Sequence, residues 1–346
     1  MKLLSRTLSS LILVLTLLCG VVIFTHSELY TSAMKKPVVG VAKEKSATRL
    51  QSFPSGILSR LSLFPGSRAH PRMIAVMIEN HEEARRYHSG LTDALMIQEF
   101  LVEGFISRFV ALFDTRHLPR EVGPVRSLRP YFLDGISPWA RTVFHAGGSP
   151  EALKRVEEGN EFYATNILYY DDENDSLRKD GPPAPHDLFL RKAKIKEFLS
   201  EVPERFLGTS QWPPYTIGPA VGGESATNIR VSFFNKLHNV FFEFQPLSQK
   251  YERTNGDSLS KARPSNVLIL EVPIDEVGAY GRLFMTLTGS GQAELFHSGK
   301  VWTGRWKRES ITDPFTIVNL AGEQLPFAQG QTWMMVLPTL ERVSWK

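Results

Sequence analysis

The chain has 346 residues, 42% of them hydrophobic and 22% charged, with a formal net charge of +4 at pH 7. That composition belongs to a folded protein with one large or two smaller domains. Residues 1–70 hold 9 of the 40 Lys and Arg but only 2 of the 36 Asp and Glu, so the remainder is slightly acidic, which argues against a nucleic-acid-binding domain.

Lys2 and Arg6 precede an uncharged run from Thr7 to Ser27. A basic flank followed by about twenty uncharged residues is a membrane-insertion signal with the N-terminus inside. A cleaved secretory signal and an uncleaved anchor both fit. The length of the apolar span favours an anchor over residues 1–27, with everything after it outside the cytoplasm. The lone cysteine, Cys19, follows Thr16-Leu17-Leu18, which puts a bulky residue where a lipoprotein signal has a small one. Residues 28–70 read as a flexible basic tether. Its Lys35, Lys36, Lys43 and Lys45 are suited either to solvation or to anionic lipid and wall polymers.

The folded part divides by pattern into an α/β region over 71–210 and a β-rich region over 226–346. Met73 to Ile78 is a continuous apolar run and predicts a buried strand. It ends in the polar trio Glu79-Asn80-His81, at a strand end where binding sites commonly form. Ala94 to Val102 and Ile106 to Phe113 predict a hairpin turning at Glu103-Gly104, with Glu103 and Arg108 placed to pair across it.

The stretch from Gly123 to Pro150 carries most of the candidate chemistry. Gly123-Pro124 predicts a turn, Ser127 a cap and Pro130 the first turn of a helix to about Ile136. Arg126 and Arg129 sit at the positive end of that helix and so demand an anion, whether Glu79, Glu103 or a ligand. Thr142 to His145 predicts a strand. Gly147-Gly148-Ser149-Pro150 then opens a helix ending near Gly159, a geometry that offers backbone N–H groups to an anion. Pro185-His186-Asp187 precedes an amphipathic basic helix over Leu188 to Leu199. Beyond Asn228 the chain alternates strand and turn, with hairpins at Ser298-Gly299 and Ala321-Gly322. Trp302 and Trp306 share one strand face, either as core or as a glycan-binding surface.

With these residues in view, the chain resembles the YerB-like family, extracytoplasmic bacterial proteins of uncharacterised function that are often lipoproteins. The segments that carry the resemblance are IAVMIEN, the VEG-F-ISRF hairpin, GPVRSLRPYF, HAGGSPEAL, the Arg178 to His186 segment ending APHD, and GQTW. The resemblance implies an envelope location and an α/β N-terminal part joined to a β-rich C-terminal part. The expected fold is therefore α+β, as a layered α-β sandwich.

Two functions remain open. One is an accessory protein that binds an anionic wall or membrane component through Asn80, Arg108, Arg126, Ser127, Arg129, Arg178 and the Gly147, Gly148, Ser149 turn. The other is an extracytoplasmic hydrolase or transferase with His145 or His186 as general acid/base and Glu103 as orienter. No G-x-S-x-G or H-E-x-x-H pattern occurs, which favours binding. No cofactor is expected and no metal site is assigned, the pair His145 and His186 being the nearest approach to one. The charged candidates are expected to converge on one cleft.

Overall fold

The computed structural model describes residues 70–346 except 173–176, 209, 220 and 279. The expected anchor and, apart from His70, the expected tether lie outside the described residues. Among the described residues no helix is long and apolar enough to cross a membrane. The described residues belong to one compact unit.

The architecture is α+β and strand-dominated. Its main strands are β1 (Met73–Glu79), β2 (Met96–Leu101), β3 (Ser107–Asp114), β4 (Thr142–His145), β5 (Tyr163–Asn166), β6 (Asn228–Val231), β7 (Val240–Gln245), β8 (Lys250–Asn255), β9 (Asn266–Glu271), β10 (Gly289–His297), β11 (Lys300–Arg308), β12 (Thr316–Asn319), β13 (Thr332–Leu337) and β14 (Val343–Trp345). The described α-helices are α1 (Pro130–Ile136), α2 (Pro150–Glu158) and α3 (Lys192–Glu201), all in the first half of the folded part.

An eleven-stranded mixed sheet runs in the order β12-β11-β10-β9-β13-β2-β3-β1-β4-β5, with the short strand Glu224–Ser225 on β11. A five-stranded sheet holds Ser258–Leu259, β8, β7, β6 and β14. Strand β13 joins the two halves of the chain. It pairs parallel with β9 on one side and with β2 on the other, and all six of its residues are buried. An apolar run such as TWMMVL suits this position because both edges are hydrogen-bonded and both faces are covered.

Most local expectations match the coordinates. β2 and β3 form the hairpin, with Gly104 in the left-handed region at φ 72°. Helix α2 begins with the Ser149 side chain accepting from the Ala152 N–H and ends at Gly159. Trp302 and Trp306 are both buried, so they belong to the core, and their indole N–H groups donate to the carbonyls of Val221 and Glu271.

Three local expectations need correction. The N-cap of α1 is Arg129, with no side-chain cap, and not Ser127. The third helix starts at Lys192, because Leu190–Arg191 first pairs with Glu121–Val122. Glu103 does not pair with Arg108 across the hairpin; its partner is Arg129.

Candidate functional site

The Gly123–Ser149 stretch reaches the sheet where β4 leaves it. β1 pairs with β4 only over Ile74 to Val76. Beyond that, residues 124–126 take over the same edge: the Glu79 N–H donates to Pro124 O and the Arg126 N–H to Met77 O. On its other side the segment meets residues 186–189, through the Val125 N–H to Leu188 O. Gly123 is required here, since a Cβ at its φ of +156° would lie 2.6 Å from the Phe189 ring. Further on, the Ala146 N–H donates to Arg126 O, the Leu128 N–H to Gly147 O and the Ser149 N–H to Leu128 O. The stretch is thus threaded between two strand ends.

That path separates the candidate residues into groups. The first is a row of guanidinium groups. Arg129 holds Glu103 at two points, Nε and Nη2 each 2.7 Å from a carboxylate oxygen. Burial pushes the Glu103 carboxyl up, but the Arg129 hydrogen bonds and charge outweigh it and hold the group below the usual carboxylate range. Arg126 Nε lies 2.9 Å from Glu79 Oε1. Its N–H is not aimed at that oxygen, so the contact is ionic rather than a directed hydrogen bond.

Arg108 makes no direct ion pair with a carboxylate among the described residues; its guanidinium donates to the carbonyl of Ser127 at 3.0 Å, and Arg129, Glu103 and Arg126 act on it as neighbouring charges. Burial and the neighbouring charge of Arg129 pull it down to about 10, so it stays cationic at neutral pH. Three arginines therefore face two carboxylates.

Beside this row, Gly147 turns the chain at φ +68°, and a Cβ there would come within 3.8 Å of Ser127 Oγ. His145 donates from Nδ1 to Gly147 O at 2.8 Å and is 1% exposed. Burial holds its imidazole below the usual histidine range. Glu103, Arg129 and Ser149 also border a cavity of about 400 Å³, together with Arg282 and Phe284 from the hairpin of Ile274–Glu276 and Leu283–Met285. Arg282 and the helix-start residue Glu151 approach to 2.5 Å at this cavity. No pattern near Arg282 marked it in the sequence.

The second group surrounds His186. Its Nδ1 donates to Glu79 Oε2 at 2.9 Å, and its Nε2 lies 3.2 Å from Glu83 Oε2. The ring of His81 stacks on it at 5.4 Å. No contact joins His186 to His145, or either histidine to Glu103. No pattern in the sequence singled out Glu83.

The other candidates lie elsewhere. Arg178 binds Asp187 at 2.9 Å and Asp171 at 2.8 Å. Asn80 is 1% exposed and donates to Ser107 Oγ and Asn255 Oδ1. It belongs to a buried network in which Glu99 accepts from Ser107, Arg253 and Trp333. A separate cavity of about 770 Å³ is bordered by Trp212, Lys250, Lys261 and Arg263 and contains none of the candidates.

Comparison with known proteins places this chain in a family. Residues 63–204 match the model described as "Protein of unknown function (DUF3048) N-terminal domain", and residues 229–334 match the corresponding C-terminal domain. The chain belongs to this YerB-like family. It is 28% identical over 282 residues to YerB of Bacillus subtilis (strain 168), named as a candidate lipoprotein, covering 79% of this chain and 83% of that one. The crystal structure of YerB from Bacillus subtilis superposes with a TM-score of 0.70, covering 80% of this chain and 94% of that chain.

Proposed function

We propose that this protein works outside the cytoplasm as an accessory protein of the cell envelope that binds an anionic component, with Arg108 as the central contact. Its similarity to a candidate lipoprotein and the basic flank before the N-terminal apolar run support the location.

The observation that carries the reading is the state of Arg108. It is 9% exposed and has no direct carboxylate contact among the described residues, while Arg126 and Arg129 each have an acidic partner. A desolvated cation whose nearest carboxylate, Glu103, is already held by Arg129 is unfavourable in the free protein, and an anion arriving from outside offsets that cost. Arg126 and Arg129 flank the position and keep part of their side chains open to solvent. Phosphate oxygens suit such guanidinium donors; the expected N–H donors of the turn are already used, Gly147 N–H by Asn166 Oδ1 and Ser149 N–H by Leu128 O. Binding is favoured over hydrolysis because Glu103 contacts neither histidine and His145 is closed off from solvent.

The test is a fluorescence-anisotropy titration of labelled oligo(glycerol phosphate) with the purified full-length chain. Saturable binding that weakens steeply with salt is expected. Absence of binding at low salt contradicts the reading.

A further inference from the structure

We propose that His81, Glu83 and His186 form a site for a divalent transition-metal ion, with zinc the ion best suited to the donors. The three residues each offer one ligand atom, and these atoms lie within 4.8 Å of one another. Two imidazoles and a carboxylate are a recurrent zinc set that leaves a fourth tetrahedral position open.

The case rests on how His186 is held. Its Nδ1–H donates to the Glu79 carboxylate at 2.9 Å. That bond fixes the tautomer and turns the Nε2 lone pair outward, which is how carboxylates orient metal-binding histidines. Glu79 is itself held by Arg126. The outward Nε2 then faces Glu83 Oε2 at 3.2 Å. Two lone-pair atoms at this distance repel unless a proton or a metal ion lies between them.

Zinc–ligand bonds of about 2.0–2.1 Å at tetrahedral angles put neighbouring donor atoms about 3.3 Å apart, close to the separation observed. His81 stacks on His186 from the chain segment just after β1, and its side chain is 35% exposed. Side-chain rotation can therefore bring a ring nitrogen of His81 inward. Glu83 is more exposed still, at 63%, whereas His186 and Glu79 are fixed and buried. The site thus combines one buried, hydrogen-bonded ligand with two that reach solvent.

This assignment does not depend on anion binding at Arg108. Its test uses the purified full-length chain, stripped with a chelator, dialysed, and titrated with zinc chloride alone or cobalt chloride alone. The expected result is one zinc ion per chain and visible cobalt absorption of the tetrahedral type. His81→Ala and Glu83→Gln change a half-buried and an exposed residue of the segment after β1 and should leave the far-UV circular dichroism intact while abolishing both signals. Glu79→Gln should weaken zinc binding about 10–100-fold, as loss of an orienting carboxylate does. His117→Ala, at an exposed histidine outside the cluster, should change nothing. Absence of saturable zinc uptake, or uptake unaltered by His81→Ala and Glu83→Gln, would mean that a proton alone sits between His186 and Glu83 and would overturn the proposal.

Discussion

Arg108 donates to the backbone carbonyl of Ser127 at 3.0 Å, and the Ser127 carbonyl is the one hydrogen-bond acceptor it has among the described residues. A carbonyl satisfies a donor but does not neutralise a charge, so the row Arg126–Arg108–Arg129 is left with one more cation than its two glutamates match. Arg253, buried in the five-stranded sheet, is matched by Glu99, whereas the buried Arg308 of β11 is held, like Arg108, by backbone carbonyls.

Replacing Glu103 with Gln tests how the row is balanced. The Arg129–Glu103 pair is only 14% and 24% exposed, so its loss should cost about 1.5–3 kcal/mol, the range for hydrogen bonds to charged groups. The same change adds a net positive charge and should tighten binding of an anionic oligomer. Urea unfolding and anisotropy titration of the one variant measure both effects.

Arg253→Met should be far more damaging than any change in the row. Arg253 and Glu99 are 2% and 1% exposed, and removing the cation strands a buried carboxylate at a cost of about 3–5 kcal/mol. The double variant Glu99→Gln with Arg253→Met should recover much of that loss. Denaturant midpoints for the two single variants and the double variant check this.

Stability should fall on acidification before the carboxylates titrate. Burial holds His238 down to about 4, helped by Arg85, whose guanidinium donates to its Nδ1. Burial likewise holds His297 down to about 4, against the bond to Pro326 O that favours its charged form. Both folded values lie below the unfolded value of about 6.5. Their stabilisation is therefore complete above pH 6.5 and is lost progressively as the pH falls towards 4. The loss is on the order of 2–3 kcal/mol for each histidine. Urea midpoints at pH 7 and pH 4.5 should differ accordingly; equal midpoints would contradict the assignment.

Trp306→Ala should destabilise by about 3–5 kcal/mol, because the indole is 1% exposed and its N–H donates to Glu271 O at 2.7 Å. Thermal unfolding reads this directly.

Elements with strong local signals were legible in the sequence. The Ser149-Pro150 start and Gly159 end delimit α2 through capping chemistry alone, and the continuous apolar run of β1 reads as a buried strand. Pairings across the chain were not legible. Nothing near Thr332 signals that β13 lies between β2 and β9, since a buried apolar run is compatible with any interior position. For the site, Arg126 and Arg129 at a helix start pointed to an anion, whether Glu79, Glu103 or a ligand, because uncompensated cations there are unfavourable, and each of the two glutamates holds one of them. The cluster of His81, Glu83 and His186 was hidden, because its members meet only where residues 124–126 draw residues 186–189 towards the end of β1. Arg282 was hidden for the same kind of reason: it reaches the cavity from a hairpin far along the chain.

The most direct test of the anion-binding account is Arg108→Met, measured for binding and for stability together. If Arg108 is an unmatched cation kept for a ligand, the variant should lose oligo(glycerol phosphate) binding while its urea midpoint stays the same or rises, since removing an uncompensated buried charge offsets the lost bond to Ser127. A variant that binds as the unaltered chain does, or that loses binding only because it unfolds by about 3–5 kcal/mol more easily, would contradict the account.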